Sequence, residues 1–197
     1  MNVVAERTGD IDRRSRETQI SCRVVLEGSG RIELSSGVPF LDHMLEQVAR
    51  YGDLDLVLHG TGDLDVDTHH MVEDSGIVFG QAVSQALGQR LGITRFAHAY
   101  APLDESLARV VLDLGRRPFL HYGVDLDGTI GTLEAETLQE WWRALSIHLG
   151  ATIHVDLIRG SNRHHKAEST FKALGLALRE AIRVRGEGVP SSKGLLG

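Results

Sequence analysis

The pattern His-His-x-x-Glu occurs twice, as His69-His70-Met71-Val72-Glu73 and as His164-His165-Lys166-Ala167-Glu168, and the apolar periods around each copy follow the same order. This duplication constrains the fold more than any other feature, because a repeated unit that buries one face must pack against its own copy or against a neighbour. In the first half, Ile20 to Leu26 and Arg31 to Leu34 read as strands around the turn Glu27-Gly28-Ser29-Gly30, a hairpin signal. Pro39 opens a helical stripe through Phe40, Leu41, Met44, Leu45 and Val48 that Gly52 closes. A strand from Leu54 to Leu58 follows, then a helix from Thr68 to Leu87.

The second half repeats that order: strands at Leu107 to Leu114 and Phe119 to Val124, a helix at Leu138 to Leu149, a strand at Thr152 to Leu157 and a helix at Asn162 to Ile182. Val24-Val25-Leu26-Glu27 is echoed by Val110-Val111-Leu112-Asp113, and Arg90 to Leu103 reads as the link. The expected fold is α+β, a tandem pseudo-twofold repeat of two ββαβα units with helices on one face of the sheets. Its parts are 1–91, 92–183 and a Gly-rich, flexible C-terminal tail at 184–197. A sandwich of this kind leaves a sheet or helix layer open to oligomerisation.

Composition adds exclusions. A chain of 197 residues with 42% hydrophobic content can bury a sizeable core, and a formal charge of -6 gives no reason to expect nucleic acid or a membrane surface as partner. Cys22 stands alone, so no disulfide can form within the chain and a reducing cytoplasm is the expected compartment. Met1 to Asp10 has no apolar signal core, and no stretch approaches the roughly 18 apolar residues of a membrane span.

Positions i and i+4 share a helix face, so His69 with Glu73, and His164 with Glu168, can each grip one ion. His70 and His165 are turned by about 100° and must point elsewhere. The economical wiring is an exchange: one metal takes His69, Glu73 and His165, and the other takes His164, Glu168 and His70. Aligning Leu41-Asp42-His43 with Leu138-Gln139-Glu140 offers His43 and Glu140 as fourth ligands. Imidazole and carboxylate without thiolate suit Mn, Fe, Co or Zn, with Mn preferred. Spacing leaves open whether the two motifs meet within one chain or across a subunit boundary. Asp42 and Asp74, beside ligands, are candidates to orient them, with helix capping as the alternative. Trp141-Trp142 reads as core, and His59, His98, His121, His148 and His154 as structural or exposed.

Several longer stretches carry a resemblance. Arg16-Glu17-Thr18, Gly37-Val38-Pro39-Phe40-Leu41-Asp42-His43-Met44-Leu45, Asp67-Thr68-His69-His70-Met71-Val72-Glu73-Asp74, Gly92-Ile93-Thr94-Arg95-Phe96, Gly115-Arg116-Arg117-Pro118, Asn162-Arg163-His164-His165-Lys166-Ala167-Glu168 and Ser191-Ser192-Lys193-Gly194 together resemble the imidazoleglycerol-phosphate dehydratases over essentially the whole chain.

The resemblance implies a ribosomal S5 domain 2-like fold and a cytoplasmic hydro-lyase of histidine biosynthesis that dehydrates imidazole glycerol phosphate to imidazole acetol phosphate. It implies two Mn2+ per active site and a 24-subunit homo-oligomer with sites between subunits. The metal positions it implies are His43, His69, His70, Glu73, His164, His165 and Glu168, with Glu140 an eighth where some relatives carry histidine. Substrate contacts fall on Glu17, Gln47, Arg95, Arg117, Lys172, Ser191, Ser192 and Lys193 together with the ligands His43, His69, Glu73, His164 and Glu168. The arginines, the lysines and the serine hydroxyls suit a phosphate dianion. The proton to be removed sits on a carbon with no carbonyl neighbour, so the imidazole ring must be activated first, and Glu17 is the candidate to take it. Two other readings use the same residues: a binuclear metallohydrolase of a phosphorylated small molecule, and a metal-organised shell without catalysis.

Overall fold

The computed structural model describes residues 6–196, so residues 1–5 of the first unit and Gly197 of the tail lie outside the described residues. Two four-stranded sheets face each other across a layer of four helices. The first sheet comprises β1 (Thr8–Arg14), β2 (Thr18–Val25), β3 (Ile32–Ser35) and β4 (Asp55–Gly62) in the order β1-β2-β4-β3. The second comprises β5 (Phe96–Leu103), β6 (Ser106–Asp113), β7 (Phe119–Gly123) and β10 (Thr152–Arg159) in the equivalent order β5-β6-β10-β7. A small hairpin of β8 (Thr129–Ile130) and β9 (Leu133–Glu134) interrupts the second half. The helices are α1 (Pro39–Gly52), α2 (His69–Leu87), α3 (Thr137–Leu149) and α4 (Arg163–Ala181).

The expected ββαβα order is present in both halves, each preceded by one more strand. Strand β1, TGDIDRR, is a polar edge strand and gives no apolar alternation to read. Strand β5 lies inside the stretch read as a link. The expected hairpin of β2 with β3 is not formed, because β4 lies between them, antiparallel to β2 and parallel to β3. The true hairpins are β1-β2 and β5-β6.

Alternation in β2 buries Thr18, Ile20, Cys22 and Val24, and alternation in β6 buries Ser106, Ala108, Val110 and Leu112. Both inner faces pack on helices, and one continuous hydrophobic core runs through both halves. Trp141 and Trp142 are fully buried in it. Burial pushes the Cys22 thiol up to about 12, which leaves it inert packing. Among the described residues, no helix is long and apolar enough to cross a membrane.

The duplication is most exact where the helices cross. A Cβ on Gly175 of α4 would lie 2.8 Å from the Val48 carbonyl oxygen and 3.0 Å from the Gly52 nitrogen of α1. At the equivalent Gly80 of α2 it would lie 3.2 Å from the Leu145 carbonyl oxygen and 3.0 Å from the Leu149 nitrogen of α3. Glycine therefore lets each pair of backbones touch, and the touch fixes α1 on α4 in the register that α3 takes on α2.

Alanine in place of an ordinary helical glycine stabilises by about 1 kcal/mol. Here the opposite sign is expected: Gly175→Ala should destabilise the chain by about 1–3 kcal/mol through overpacking, seen as a lower denaturation midpoint. A raised midpoint would contradict the close crossing.

Candidate functional site

Pro39, with its fixed φ, starts α1 so that His43 stands one turn in, facing the first turns of α4. There His43 Nε2 lies 3.1 Å from Glu168 Oε2, His164 Nε2 lies 2.9 Å from the same oxygen, and the Lys172 ammonium donates to Oε1 at 2.6 Å. The Phe40 ring meets His164 edge-on at 5.1 Å, and the Gln47 amide sits 3.3 Å from His43 Nδ1. Ligand atoms of His43, His164 and Glu168 all lie within 4.8 Å of one another, the one such group of three or more among the described residues. Burial alone would raise the Glu168 carboxyl, but the hydrogen bonds from Lys172, His164 and His43 outweigh it and hold the group at about 2. A divalent cation fits this donor set, since two imidazole nitrogens and a carboxylate already converge on one point without thiolate.

The equivalent place on α2 and α3 is built differently. His69 Nε2 stands 3.9 Å from Glu73 Oε2, the i,i+4 pair foreseen. The helix register puts Glu140 where His43 stands in the other copy. The Glu140 carboxylate, however, turns to Arg143 one turn along α3 and is not within ligand distance of His69 and Glu73.

The second histidine of each motif diverges from the first, with ring planes 79° apart for His69 and His70 and 86° apart for His164 and His165. His70 Nδ1 is 3.0 Å from Asp63 Oδ2, and its Nε2 faces Glu17 Oε1 at 3.9 Å. His165 Nδ1 is 2.8 Å from Glu105 Oε2, and its Nε2 faces Asp104 Oδ2 at 3.9 Å. The hydrogen bond with Asp63 raises the pKa of His70, and the one with Glu105 raises that of His165. Neither ring joins the other motif's His-Glu pair within the chain, among the described residues.

Asp63 and Glu105 are thus the carboxylates that hold histidines, in place of Asp42 and Asp74. Asp42 accepts from the Ser36 N–H, and Asp74 accepts from Thr18 Oγ1 and Arg13. Asp63 lies seven residues before its histidine and Glu105 on a distant turn, so no motif spacing marks either of them.

The expected phosphate contacts divide into two places. Lys172 belongs to the Glu168 cluster. Arg95, with φ 75°, forks onto both Asp113 oxygens at 2.7 and 3.0 Å and donates to the Pro190 carbonyl at 2.9 Å. The turn at Gly115 runs against its guanidinium, leading to the exposed Arg117. The Arg183 to Gly188 stretch bonds back onto Gly92 and Thr94, so the tail is anchored just before Ser191, Ser192 and Lys193. The Arg95 N–H donates to the carbonyl of Ala181, at the end of α4, whereas Glu168 lies near its start. At 1.5 Å per residue the two places are about 20 Å apart in one chain.

The model of the family described as imidazoleglycerol-phosphate dehydratase matches residues 36–178. The imidazoleglycerol-phosphate dehydratase of Thiobacillus denitrificans is 48% identical over 194 residues, covering 96% of this chain and all of that protein. The one from Moorella thermoacetica is 50% identical over 189 residues, covering 94% and 96%. Among solved structures, that of the Staphylococcus aureus enzyme superposes with a TM-score of 0.82 at 34% identity over 90% of this chain and 99% of that one. That of the Pyrococcus furiosus enzyme, in complex with (S)-C348, gives 0.83 at 34% identity over 94% and 100%.

The depressed Glu168 carboxyl makes a pH prediction for the metal-free chain. Its contribution to stability is complete above the ordinary value of 4.5 and is lost as the pH falls through about 2. Between those limits, the melting temperature of the parent should fall further than that of Glu168→Gln. Parallel curves would contradict the geometry described.

Proposed function

The chain belongs to the imidazoleglycerol-phosphate dehydratase family, and from that premise we propose how its residues serve the reaction. It is a carbon–oxygen hydro-lyase of histidine biosynthesis, removing water from imidazole glycerol phosphate to give imidazole acetol phosphate. The observation that carries the site is the convergence of His43, His164 and Glu168, with Lys172 alongside.

We assign two Mn2+ ions per active site. His43, His164 and Glu168 hold one, completed by a His70; His69, Glu73 and Glu140 hold the other, completed by a His165. Because neither completing ring reaches its partners within a chain, a neighbouring copy supplies it, and metal binding couples to assembly of a cytoplasmic homo-oligomer of 24 chains. The roughly 20 Å between Glu168 and Arg95 has the same explanation: the phosphate site of one copy serves the metals of another. The repeat units 1–91 and 92–183 then act as two half-sites, with 184–197 carrying phosphate ligands.

A bound divalent ion supplies acidity to the imidazole N–H of the substrate. The remaining work falls to side chains. Arg95, Arg117, Ser191, Ser192 and Lys193 hold the phosphate through charge-assisted hydrogen bonds, and Lys172 adds a point charge beside Glu168. Gln47 sits next to His43 and orients the substrate near it. Glu17, about half exposed at 3.9 Å from His70 Nε2, takes the C–H proton of the carbon that keeps its hydroxyl, while the neighbouring ring-bearing carbon loses its hydroxyl as water, and the enol so formed becomes the ketone.

Mn-loaded protein should convert the substrate to a keto product that retains its phosphate, and Glu17→Gln should lose about 10²–10⁴ in kcat with unchanged metal content. Release of inorganic phosphate would point to a hydrolase, and full activity of Glu17→Gln would remove it from the mechanism.

A further inference from the structure

The turn between β5 and β6 contains two residues, Asp104 and Glu105, and Asp104 has a left-handed backbone with φ 46°. That turn is pressed against the connection from β10 to α4. A Cβ on Gly160 would stand 2.3 Å from Ser106 Oγ and 3.1 Å from Ser106 Cβ, so a side chain there would push the turn away. Glu105 is held from two sides there. Its Oε1 accepts the backbone N–H of Asn162 at 2.8 Å and of Ser161 at 3.1 Å, and the Ser161 hydroxyl at 3.3 Å. Its Oε2 lies 2.8 Å from His165 Nδ1.

With Oε1 engaged at the start of α4, the carboxylate cannot swing away from the ring. An ionised carboxylate only accepts, so Nδ1 must carry a proton, and Nε2 is the nitrogen that offers a lone pair in the neutral ring. We propose that Glu105 is the positioning residue of His165, fixing its tautomer and direction so that Nε2 is presented to a metal ion held by a neighbouring copy. The inference rests on the reading of His165 as a ligand.

The repeat supports a division of labour. Strand register matches Val24, opposite Leu56, to Leu112, opposite Ile153, two residues on from the Val110 that the sequence echo suggested, and on that register Glu17, just before β2, is equivalent to Glu105, just before β6. In the first half Asp63 holds Nδ1 of His70, which leaves Glu17 unbound to that nitrogen and free for substrate. In the second half no such aspartate takes the ring, and the glutamate does so itself.

The test is Mn2+ titration of the full-length assembled protein, followed by the electron paramagnetic resonance signal of free Mn2+, in the parent, His165→Asn, Glu105→Gln and the double variant. Glutamine can still accept from the α4 amides through its oxygen but offers an N–H to Nδ1, reversing the required tautomer. Glu105→Gln should weaken one class of Mn2+ site by about 10–100-fold and leave the other at parental affinity. The double variant should bind no more weakly than His165→Asn alone. Should Glu105→Gln fail to fold, Glu105→Asp, which shortens the reach, takes its place with the same expectation. Parental Mn2+ affinity in Glu105→Gln with a lowered melting temperature would show a helix cap only and overturn the proposal. Additional Mn2+ loss in the double variant would overturn it too. If His165→Asn itself keeps both sites at parental affinity, the ligand reading beneath it fails.

Discussion

The contact of α1 with α4 at Gly175 decides whether His43 reaches the Glu168 carboxylate, to which α4 itself already brings His164 and Lys172. A glycine there lets two backbones meet with no side chain between them, and the meeting point lies two helical turns beyond Glu168. The register of the helices is therefore fixed by main-chain contact, and His43 arrives at Glu168 by consequence. The same contact at Gly80 sets α3 on α2 in the equivalent register, so Glu140 takes the helix position that His43 has in the other pair, with its carboxylate turned to Arg143. One duplicated steric event produces two half-sites, which differ because one offers imidazole and the other a carboxylate.

The carboxylates around these half-sites do three kinds of work. Glu168 and Glu73 share helix faces with histidines and are suited to ions. Asp63 and Glu105 hold the outward-turned histidines by Nδ1. Glu17 and Asp104 stand at 3.9 Å from the opposite ring nitrogens. A histidine that serves as a metal ligand needs its second nitrogen held for direction and tautomer, which is the work that Asp63 and Glu105 would do if His70 and His165 bind the proposed ions.

Much of this was legible in the sequence. The i,i+4 spacing gave the pairing of His69 with Glu73 and of His164 with Glu168, and the divergence of His70 and His165 follows from helical pitch alone. Helix periods located all four helices. What escaped was whatever depends on distant approach. β1 is too polar to announce itself, and β5, FAHAYAPL, carries an alternation too weak to separate from a link. β2 and β3 looked like a hairpin because their turn is Gly-rich and the chain does reverse there, yet β3 lands one strand away and β4 fills the gap between them. Glu105 meets His165 across 60 residues, and Pro190 meets Arg95 across 95. No local pattern encodes either contact.

On the proposed function, a complete site needs more than one copy of the chain. Arg95 and Glu168 lie at opposite ends of α4, and in the proposed assembly each active site draws them from different copies. Two separately inactive variants, Glu168→Ala and Arg95→Ala, test this when unfolded together and reassembled as a mixture. The mixed assembly is expected to regain dehydratase activity, because some sites then combine an intact Glu168 from one copy with an intact Arg95 from another. Mixed assemblies of full size that stay as inactive as either parent would contradict it.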